Sequence, residues 1–313
     1  MRLIPALTGL LVAGALSLAT RAEGARVSPC DLTFPSDTSV AWTCVTIRKD
    51  ESLESLFGDR WMDVARFNRI DRRHASPGLR IRVPQRLDAI ECFSPMPQRY
   101  ALADSESQFV LIHLSEQFLG AYEHGRRVFS APITTGRTGD PTPTGLFRIT
   151  AYDRNHHSSR YRIAQTNRPY PMHYGLRFHV DASGVSYWIH GRDVPGVAAS
   201  HGCIGLYDEA MQKQCYGQPD EPALADARWL FEWVVGSQGD TTSIGTMEGP
   251  RVLIVGSPPK VRIREVERPI GGNGNRAPDE RLQADMNPVR WIELLCPQTV
   301  FTSWLSHRAS ERE

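Results

Sequence analysis

The sequence lacks the features that mark several specialised classes of protein. Lys and Arg number 36 against 35 Asp and Glu, a formal net charge of +1, so no strong field gathers nucleic acid or an anionic membrane. No internal repeat is present, and no Walker, dinucleotide-binding or zinc-finger motif occurs. Only one long uncharged run exists, at residues 3–20. The sequence therefore lacks the basic charge and the repeated hydrophobic segments that usually indicate nucleic-acid binding and multi-span membrane proteins.

The remaining composition is that of a soluble globular protein. Hydrophobic residues make up 41% and charged residues 23% of the chain, which is ordinary for globular domains. A length of 313 residues predicts two domains on the soft prior of roughly 150 residues each. A chain of this size buries a sizeable core without needing disulfides.

The N-terminus has the plan of a signal peptide. Arg2 precedes the uncharged run at 3–20, and Thr20-Arg21-Ala22 places small residues around a cleavage register. The alternative is a membrane anchor, because 18 uncharged residues approach the length that spans a bilayer. Pro5 and the glycines within the run dilute it. We predict a signal peptide over residues 1–22 and export to the periplasm or cell wall.

Six cysteines fit an oxidising compartment, where disulfides persist. They stand at positions 30, 44, 92, 203, 215 and 296. Cys203 is expected to remain a thiol for the chemistry below. We expect a bridge between two of the three N-terminal cysteines and another between Cys215 and Cys296, so that each pair lies within one structural unit.

Residues 42–86 predict a strand, two helices and a second strand, with Pro77-Gly78 turning the chain into the last strand. Leu53, Leu56 and Phe57, followed by Pro77-Gly78-Leu79-Arg80-Ile81-Arg82-Val83-Pro84, resemble a LysM domain. That resemblance implies binding of glycans that contain N-acetylglucosamine. The sequence departs from the family at Asp50-Glu51, where Gly-Asp is favoured. The alternative is a small α+β domain that only spaces the catalytic part from its surroundings.

The region 100–257 is dominated by predicted strands. Phe109 to Leu114, Phe118 to Glu123 and Val128 to Ile133 form an antiparallel meander, with turns at Ser115-Glu116-Gln117 and His124-Gly125. Further strands are predicted at 146–152, 175–180, 187–190 and 251–255, and helices at 208–214 and 223–235. The fold class is mainly β, a sandwich or closed barrel, with the small α+β domain before it. Residues 258–313 are charged and rich in turns, and we expect a partly disordered C-terminal extension.

Two histidines and a thiol come together in Tyr187-Trp188-Ile189-His190-Gly191 and Ser200-His201-Gly202-Cys203. A free cysteine has a pKa near 8.5, so a nearby imidazole that lowers it creates the nucleophilic thiolate. In an extended segment, His201 and Cys203 project to the same face. A turn at Gly205 would leave backbone N–H groups for an oxyanion. These are the components of acyl transfer by a cysteine nucleophile.

Each of these residues also has a plainer interpretation. Cys203 is compatible with a buried thiol or half of a disulfide, and His190 and His201 with ordinary packing. Zinc coordination that also uses His173, His179 and Cys215 has the right ligand types. No spacing here matches a recognised zinc pattern, so no metal and no other cofactor is expected.

Around these residues the sequence resembles the L,D-transpeptidase catalytic domain. The resemblance also includes Phe109 to Gln117 and Thr142-Pro143-Thr144-Gly145. It implies that Cys203 is the nucleophile and His201 its general base, and that backbone amides around Gly202 and Cys203 form the oxyanion hole. It further implies that a carbonyl of Ser200 or Gly202 holds the imidazole and that His190 and Gly191 line the site.

Two departures from the family concern substrate binding. The family has Arg two residues after the nucleophile, where this chain has Gly205, and we expect Arg192 to supply the guanidinium instead. The segment between His190 and Ser200 is also shorter than is common. Tyr174 belongs to an aromatic stretch that is expected either to form a substrate-facing lip or to pack as an ordinary loop.

The resemblance implies an enzyme that acts on peptidoglycan. The thiol attacks the bond between diaminopimelate and the terminal D-Ala of a tetrapeptide stem, D-Ala leaves, and an amine takes the acyl group. The partners are stem peptides and glycan strands, and the acceptor is another stem, giving a 3-3 crosslink, or a cell-wall-anchored protein. The alternatives are an L,D-carboxypeptidase or amidase of the same fold and an inactive cell-wall-binding protein.

Overall fold

A computed structural model describes residues 27–164, 166–236 and 243–261. The predicted signal peptide at 1–22 and most of the predicted extension at 258–313 lie outside these residues. Within the described ranges, no helix has the length and apolar character needed to cross a membrane.

Short strands and four short α-helices make up the described chain. The helices are α1 (Leu53–Phe57), α2 (Trp61–Asn68), α3 (Glu209–Tyr216) and α4 (Asp226–Val235). The strands are β1 (Trp42–Thr46), β2 (Arg80–Pro84), β3 (Phe109–His113), β4 (Phe118–Glu123), β5 (Arg126–Pro132), β6 (Gly145–Arg148), β7 (Ala151–Asp153), β8 (His157–Arg162), β9 (Pro169–Pro171), β10 (Gly175–Val180), β11 (Ser186–Arg192), β12 (Ile204–Tyr207), β13 (Gly245–Thr246) and β14 (Arg251–Val255).

Two five-stranded sheets form a sandwich. One has the order β5-β4-β3-β14-β6 and the other the order β12-β11-β10-β7-β13. Their inner faces share one core with α4, which includes Val110, Ile112, Ile189, Ile204 and Phe231. The prediction of a mainly β protein is therefore confirmed, and the packing of two sheets face to face is that of a sandwich.

Strand β3 explains how the first sheet is buried on both faces. Val110 and Ile112 enter the core of the sandwich, whereas Phe109 and Leu111 pack on the other face against a second cluster that contains Tyr122. This alternation follows from the two-residue period of a strand. The predicted turn at His124-Gly125 is present, and both residues have positive φ, 47° and 73°, as a two-residue hairpin turn requires.

The strands β11 and β12 run parallel and lie next to each other. Ile189 pairs with Ile204 and His190 with Gly205. Parallel neighbours need a crossover connection, which here is the segment 193–203. This crossover segment contains Ser200-His201-Gly202-Cys203 and therefore determines where the thiol lies.

Residues 42–84 have the predicted order of strand, helix, helix and strand, and β1 pairs antiparallel with β2. Ser52 begins α1 by accepting a hydrogen bond from the Ser55 amide. The core of this N-terminal unit includes Val64 and Phe67 of α2 and continues into Val194 and Tyr207, at the ends of β11 and β12. The two regions thus share buried apolar side chains.

The cysteines follow the expectation in part. Cys30 and Cys44 form a disulfide, which is a pairing of two N-terminal cysteines, and Cys92 is also disulfide-bonded. Cys203 and Cys215 are free thiols. The predicted bridge from Cys215 to Cys296 is therefore wrong.

Candidate active site

Cys203 lies directly before β12, beside Trp188 of β11. Because Ile189 and Ile204 point into the sandwich core, the side chains of Trp188, His190 and Cys203 lie on the opposite face of the same sheet. The thiol packs there with Trp188, Met172 and neighbouring apolar residues. Burial raises the pKa of the Cys203 thiol, while the Trp188 backbone and the charge of Arg192 act in the opposite direction. The expectation that an imidazole lowers this pKa is wrong for the unreacted protein.

The turn before the thiol is held by a chain of hydrogen bonds. Ser200 is fully buried; its hydroxyl donates to the Cys203 carbonyl at 2.5 Å and accepts from the Gly202 amide at 3.1 Å. Thr142 Oγ1 donates to the Gly202 carbonyl at 2.9 Å and accepts from the Gly136 amide at 2.9 Å. The Thr142 of the predicted Thr-Pro-x-Gly motif is thus linked to the turn that presents the thiol.

Gly202 permits the turn in a way that no other residue would. Its φ is +106°, and a Cβ added there would lie 2.6 Å from a ring carbon of Tyr187. This conformation interrupts the extended geometry that would place His201 and Cys203 on one face. His201 is instead exposed and stacks on Tyr161, with ring centroids 4.2 Å apart.

His190 has the environment of a neutral, oriented imidazole. It is 2% exposed, and burial lowers its pKa to about 3. Its Nδ1 lies 2.9 Å from the Gly191 carbonyl oxygen. Because a carbonyl only accepts, Nδ1 carries the proton and Nε2 keeps a lone pair that can take a proton.

The carbonyls that were expected to hold an imidazole have other partners. The Ser200 carbonyl accepts from the Arg137 amide at 3.0 Å, and the Gly202 carbonyl accepts from Thr142. The carbonyl that orients a histidine at this site is that of Gly191. The role of Ser200 and Gly202 toward the imidazole stays a prediction, and the hydrogen bonds observed for both residues shape the turn before the thiol.

Arg192 lies across Gly205. A Cβ added at Gly205 would be 2.0 Å from Cγ of Arg192 and 2.8 Å from a methyl of Thr134, so the stem of the arginine fills the space above this glycine. The guanidinium carbon is 6.0 Å from the centre of the Tyr170 ring. Its Nε is buried without a hydrogen-bond partner in the described part of the chain, which is costly unless a ligand supplies one.

A hairpin formed by β8 and β9 covers this face. Tyr161 of the hairpin contacts His201. His156, just before β8, stacks on Trp188 with ring centroids 4.1 Å apart. A cavity of about 300 Å³ lies between the hairpin and α3, and its lining includes His157, His173, Arg168 and Cys215. The His173 carbonyl accepts from the Gly191 amide at 2.8 Å, so the cavity wall is joined to the strand that carries His190.

Tyr174 does not join the group around Cys203. Its ring packs against Phe231 of α4 with centroids 5.8 Å apart and belongs to the edge of the sandwich core. The sequence offered both a substrate-facing lip and an ordinary packed loop, and the observed contacts are those of packing.

A residue that the sequence did not single out, Asp208, lies behind the site. Its Oδ1 accepts from the Met211 amide and begins α3, while Oδ2 is buried without a hydrogen-bond partner at 4.0 Å from Nδ1 of His173. Burial raises the pKa of Asp208 to about 6. The signal available in the sequence was only that of a helix N-cap.

Three potential metal ligands lie together away from the thiol. The ligand atoms of Asp71, His74 and Asp193 are within 4.8 Å of one another. Each already has a hydrogen-bond partner: Asp71 contacts His74 and Val194, and Asp193 contacts Arg73. This cluster is accounted for as a hydrogen-bonded network.

The comparisons with known proteins concern the region that contains Cys203. Residues 107–261, just under half of the chain, match the family model YkuD, the L,D-transpeptidase catalytic domain. No curated protein matches the sequence significantly.

Several solved L,D-transpeptidases are similar at low identity. One in complex with imipenem is 20% identical, with 48% of this chain and 59% of that chain covered and a TM-score of 0.32. The protein from Stackebrandtia nassauensis is 20% identical, with 64% and 69% covered and a TM-score of 0.33. L,D-transpeptidase 1 of Mycobacterium tuberculosis is 21% identical, with 48% and 62% covered and a TM-score of 0.31. The chain thus spans about three fifths of the length of the first and third of these proteins. It is residues 107–261, which contain Cys203 and His190, that match the L,D-transpeptidase catalytic domain family.

Proposed function

We propose that the protein is a peptidoglycan L,D-transpeptidase with Cys203 as its nucleophile. The observation that carries this proposal is a free thiol and a neutral, oriented imidazole on one face of a sheet, within the region that matches the L,D-transpeptidase catalytic domain. The substrate is the tetrapeptide stem of peptidoglycan. Its scissile amide joins diaminopimelate to the terminal D-Ala.

His190 is the better general base of the two histidines near the motif. It is buried, and its Nε2 is available because Nδ1 donates to the Gly191 carbonyl. His201 is exposed and its ring stacks on Tyr161. Since burial raises the pKa of Cys203, the proton must leave as the thiol attacks, which requires a base with a free lone pair.

The acylation step follows from these roles. The Cys203 sulfur attacks the amide carbonyl while its proton passes to Nε2 of His190, and the carbonyl oxygen becomes an oxyanion. The Gly202 amide already donates to Ser200 Oγ, so we assign the oxyanion contact to the Cys203 amide. Collapse of the intermediate breaks the C–N bond, His190 returns the proton to the amine, and D-Ala leaves. A thioester on Cys203 remains.

Deacylation distinguishes the alternative reactions. An amine of a second stem gives a 3-3 crosslink and an amine of a wall-anchored protein gives an attachment, whereas water gives a carboxypeptidase or amidase. In each case the incoming nucleophile loses a proton to His190 and the thiol is regenerated. The cavity lined by His173 and Arg168 is the proposed place for part of a peptide stem, because the His173 carbonyl is hydrogen-bonded to the strand that carries His190.

Arg192 is assigned to the binding of a substrate carboxylate. Its stem lies over Gly205, and its Nε is buried without a partner among the described residues. A stem peptide carries carboxylates close to the scissile bond, and guanidinium groups bind carboxylates through paired hydrogen bonds. Gly191 contributes the backbone carbonyl that orients His190. Tyr174 contributes by packing against Phe231.

The N-terminal unit is assigned to glycan binding. Its order of strand, helix, helix and strand agrees with the LysM-like sequence of residues 42–86. Binding of the glycan strand by this unit would raise the effective concentration of an insoluble substrate near the thiol. Export to the periplasm or cell wall, through a signal peptide at 1–22, is proposed together with this function and is supported by the disulfide between Cys30 and Cys44.

Intact-mass measurement after incubation with a carbapenem tests the nucleophile. We expect one adduct on the wild-type protein and on Cys215→Ser, and none on Cys203→Ser. Cys215 is the matched control because it is the other free thiol in the described chain. A folded protein that gives no adduct, or an adduct that persists in Cys203→Ser, would refute the assignment.

Incubation with purified disaccharide-tetrapeptide then identifies the reaction. We expect release of D-Ala together with a dimer mass. A trimmed monomer would indicate hydrolysis, and no product would favour an inactive wall-binding protein.

A further inference from the structure

The N-terminal unit forms hydrogen bonds with the crossover segment 193–203, which joins the strand of His190 to Cys203. The Asp71 amide donates to the Val194 carbonyl at 2.8 Å, and the Val194 amide donates to Asp71 Oδ2 at 2.7 Å. Ile70 and Pro195 form an isolated β-bridge beside this pair. Asp71, just after α2, thus forms hydrogen bonds with both the carbonyl and the amide of Val194 in the crossover.

The Asp71 carboxylate also joins a third element. Gln212 of α3 donates to Asp71 Oδ2 at 2.8 Å and to Asp193 Oδ1 at 2.9 Å. The other oxygen of Asp71 accepts from the His74 amide at 2.9 Å and lies 2.7 Å from His74 Nδ1. Burial opposes ionisation of Asp71, but its hydrogen bonds outweigh burial and lower its pKa. A fully buried carboxylate with these partners fixes the geometry around it.

Val194 is close in sequence to the proposed catalytic groups. Val194 follows Arg192 by two positions and His190 by four. Its side chain is fully buried and belongs to the core of the N-terminal unit. The other end of the crossover is held within the catalytic region, where the Ser200 amide donates to the Thr135 carbonyl at 2.9 Å. The position of one end of this short segment is therefore set by the N-terminal unit.

We infer that Asp71 is a positioning residue for the active site, and that the N-terminal unit is part of the catalytic scaffold in addition to any role in glycan binding. Through the Val194 amide, Asp71 fixes the end of β11 and with it the orientations of His190 and Arg192. This inference rests on the proposed function, because the position of the crossover affects catalysis only if His190 and Arg192 have the proposed roles. A displacement of about 1 Å in such a group can cost on the order of 10²-fold in rate.

The test compares Asp71→Ala with the wild-type protein on a soluble disaccharide-tetrapeptide, for which tethering to the wall plays no part. We expect kcat to fall on the order of 10²-fold, with a smaller change in KM, and carbapenem acylation of Cys203 to slow in parallel. Hydrogen exchange of the Val194 amide should become faster, while exchange in β3 and β4 stays as in the wild type. Asp71→Asn keeps an oxygen for the Val194 amide and should restore most of the rate.

Arg66→Gln is the matched control. Arg66 pairs with Asp226 across the same contact between the two regions, at 2.6 and 2.9 Å, and its side-chain hydrogen bonds go to Asp226 and not to Val194 or Asp193. We expect this variant to be less stable yet to keep the wild-type acylation rate. Should Asp71→Ala not fold, Gln212→Ala removes the link between Asp71 and Asp193 and should lower kcat roughly tenfold, a tenfold change being the effect of about 1.4 kcal/mol.

Three results would overturn the inference. They are wild-type kcat in folded Asp71→Ala, unchanged Val194 exchange in that variant, and an equal loss of acylation in Arg66→Gln. Failure of the proposed function is a separate outcome, because the wild-type protein would then form no adduct on Cys203. Exchange of the Val194 amide would still show whether Asp71 holds the crossover.

Discussion

Arg192 and Gly205 occupy one space between them: the arginine stem lies where a side chain at position 205 would have to be, with Cγ only 2.0 Å from an added Cβ. On the parallel strands β11 and β12, Gly205 pairs with His190, and Arg192 pairs with Tyr207. The glycine at 205 and the arginine at 192 therefore depend on each other. We propose that β11 supplies, through Arg192, the guanidinium that β12 does not carry.

This relationship predicts the effect of two single substitutions. Arg192→Ala should lower kcat/KM for a disaccharide-tetrapeptide by about 10- to 100-fold, mainly through KM, because a partner of the substrate carboxylate is lost. Gly205→Ala should have an effect of similar size, since its methyl group displaces Arg192. Steady-state kinetics of D-Ala release measure both. Arg160→Ala, on the exposed part of β8, is the control, and unchanged turnover in Arg192→Ala would rule out the assignment.

A second prediction separates the two histidines. His190→Gln should slow carbapenem acylation of Cys203 by about 10²- to 10⁴-fold, the usual contribution of a general base. His201→Gln should change the rate only a few-fold, because that ring is exposed and stacked on Tyr161. Stopped-flow measurement of acylation decides between them. If His201→Gln proves the more damaging change, the assignment of the base is wrong.

A third prediction concerns pH. Burial raises the pKa of Cys203 and lowers that of His190 to about 3, so the resting pair is a thiol and a neutral imidazole. Alkylation of Cys203 by iodoacetamide, which needs the thiolate, should be slow at pH 7 and rise steadily above pH 8. The acylation rate should not fall between pH 7 and pH 5 through protonation of His190. A reactive plateau near pH 6 would instead indicate an ion pair.

Much of the fold could be predicted from sequence because it follows local patterns. The strands β3, β4 and β14 have mostly apolar sequences and lie where they were expected. The turn at His124-Gly125 could be predicted because glycine readily adopts the positive φ that a two-residue hairpin turn requires. The hairpin of β8 and β9 was missed because the sequence of β8, from His157 to Arg162, is polar and its exposed strand has no apolar alternation.

The components of the site were also visible in sequence, but their roles were not. Alternation in an extended segment favoured His201 as the partner of Cys203, and the φ of +106° at Gly202 removes that alternation. The environment of His190 depends on the parallel pairing of β11 with β12, which is a long-range feature. The raised pKa of Cys203 comes from burial, which no local motif specifies.

A final prediction concerns stability and the unpaired carboxylate behind the site. Burial raises the pKa of Asp208 to about 6, well above the ordinary value for an aspartic acid, so the folded state favours the protonated acid. The contribution of this group to stability is complete below about pH 4 and is lost as the pH rises through 6. A shift of this size corresponds to on the order of 3 kcal/mol at pH 8.

Asp208→Asn should therefore raise the free energy of unfolding at pH 8 and have little effect at pH 4. Asparagine stays neutral, and its side-chain oxygen can still accept the Met211 amide at the start of α3, a position where Asn and Asp cap equally well. Urea unfolding of both proteins at pH 4, 6 and 8 measures the difference. Asp226→Asn makes the comparison specific, because that carboxylate is paired with Arg66 and its loss should destabilise the protein at pH 8. An Asp208→Asn effect that does not grow with pH would show that the buried carboxylate has a partner in solution.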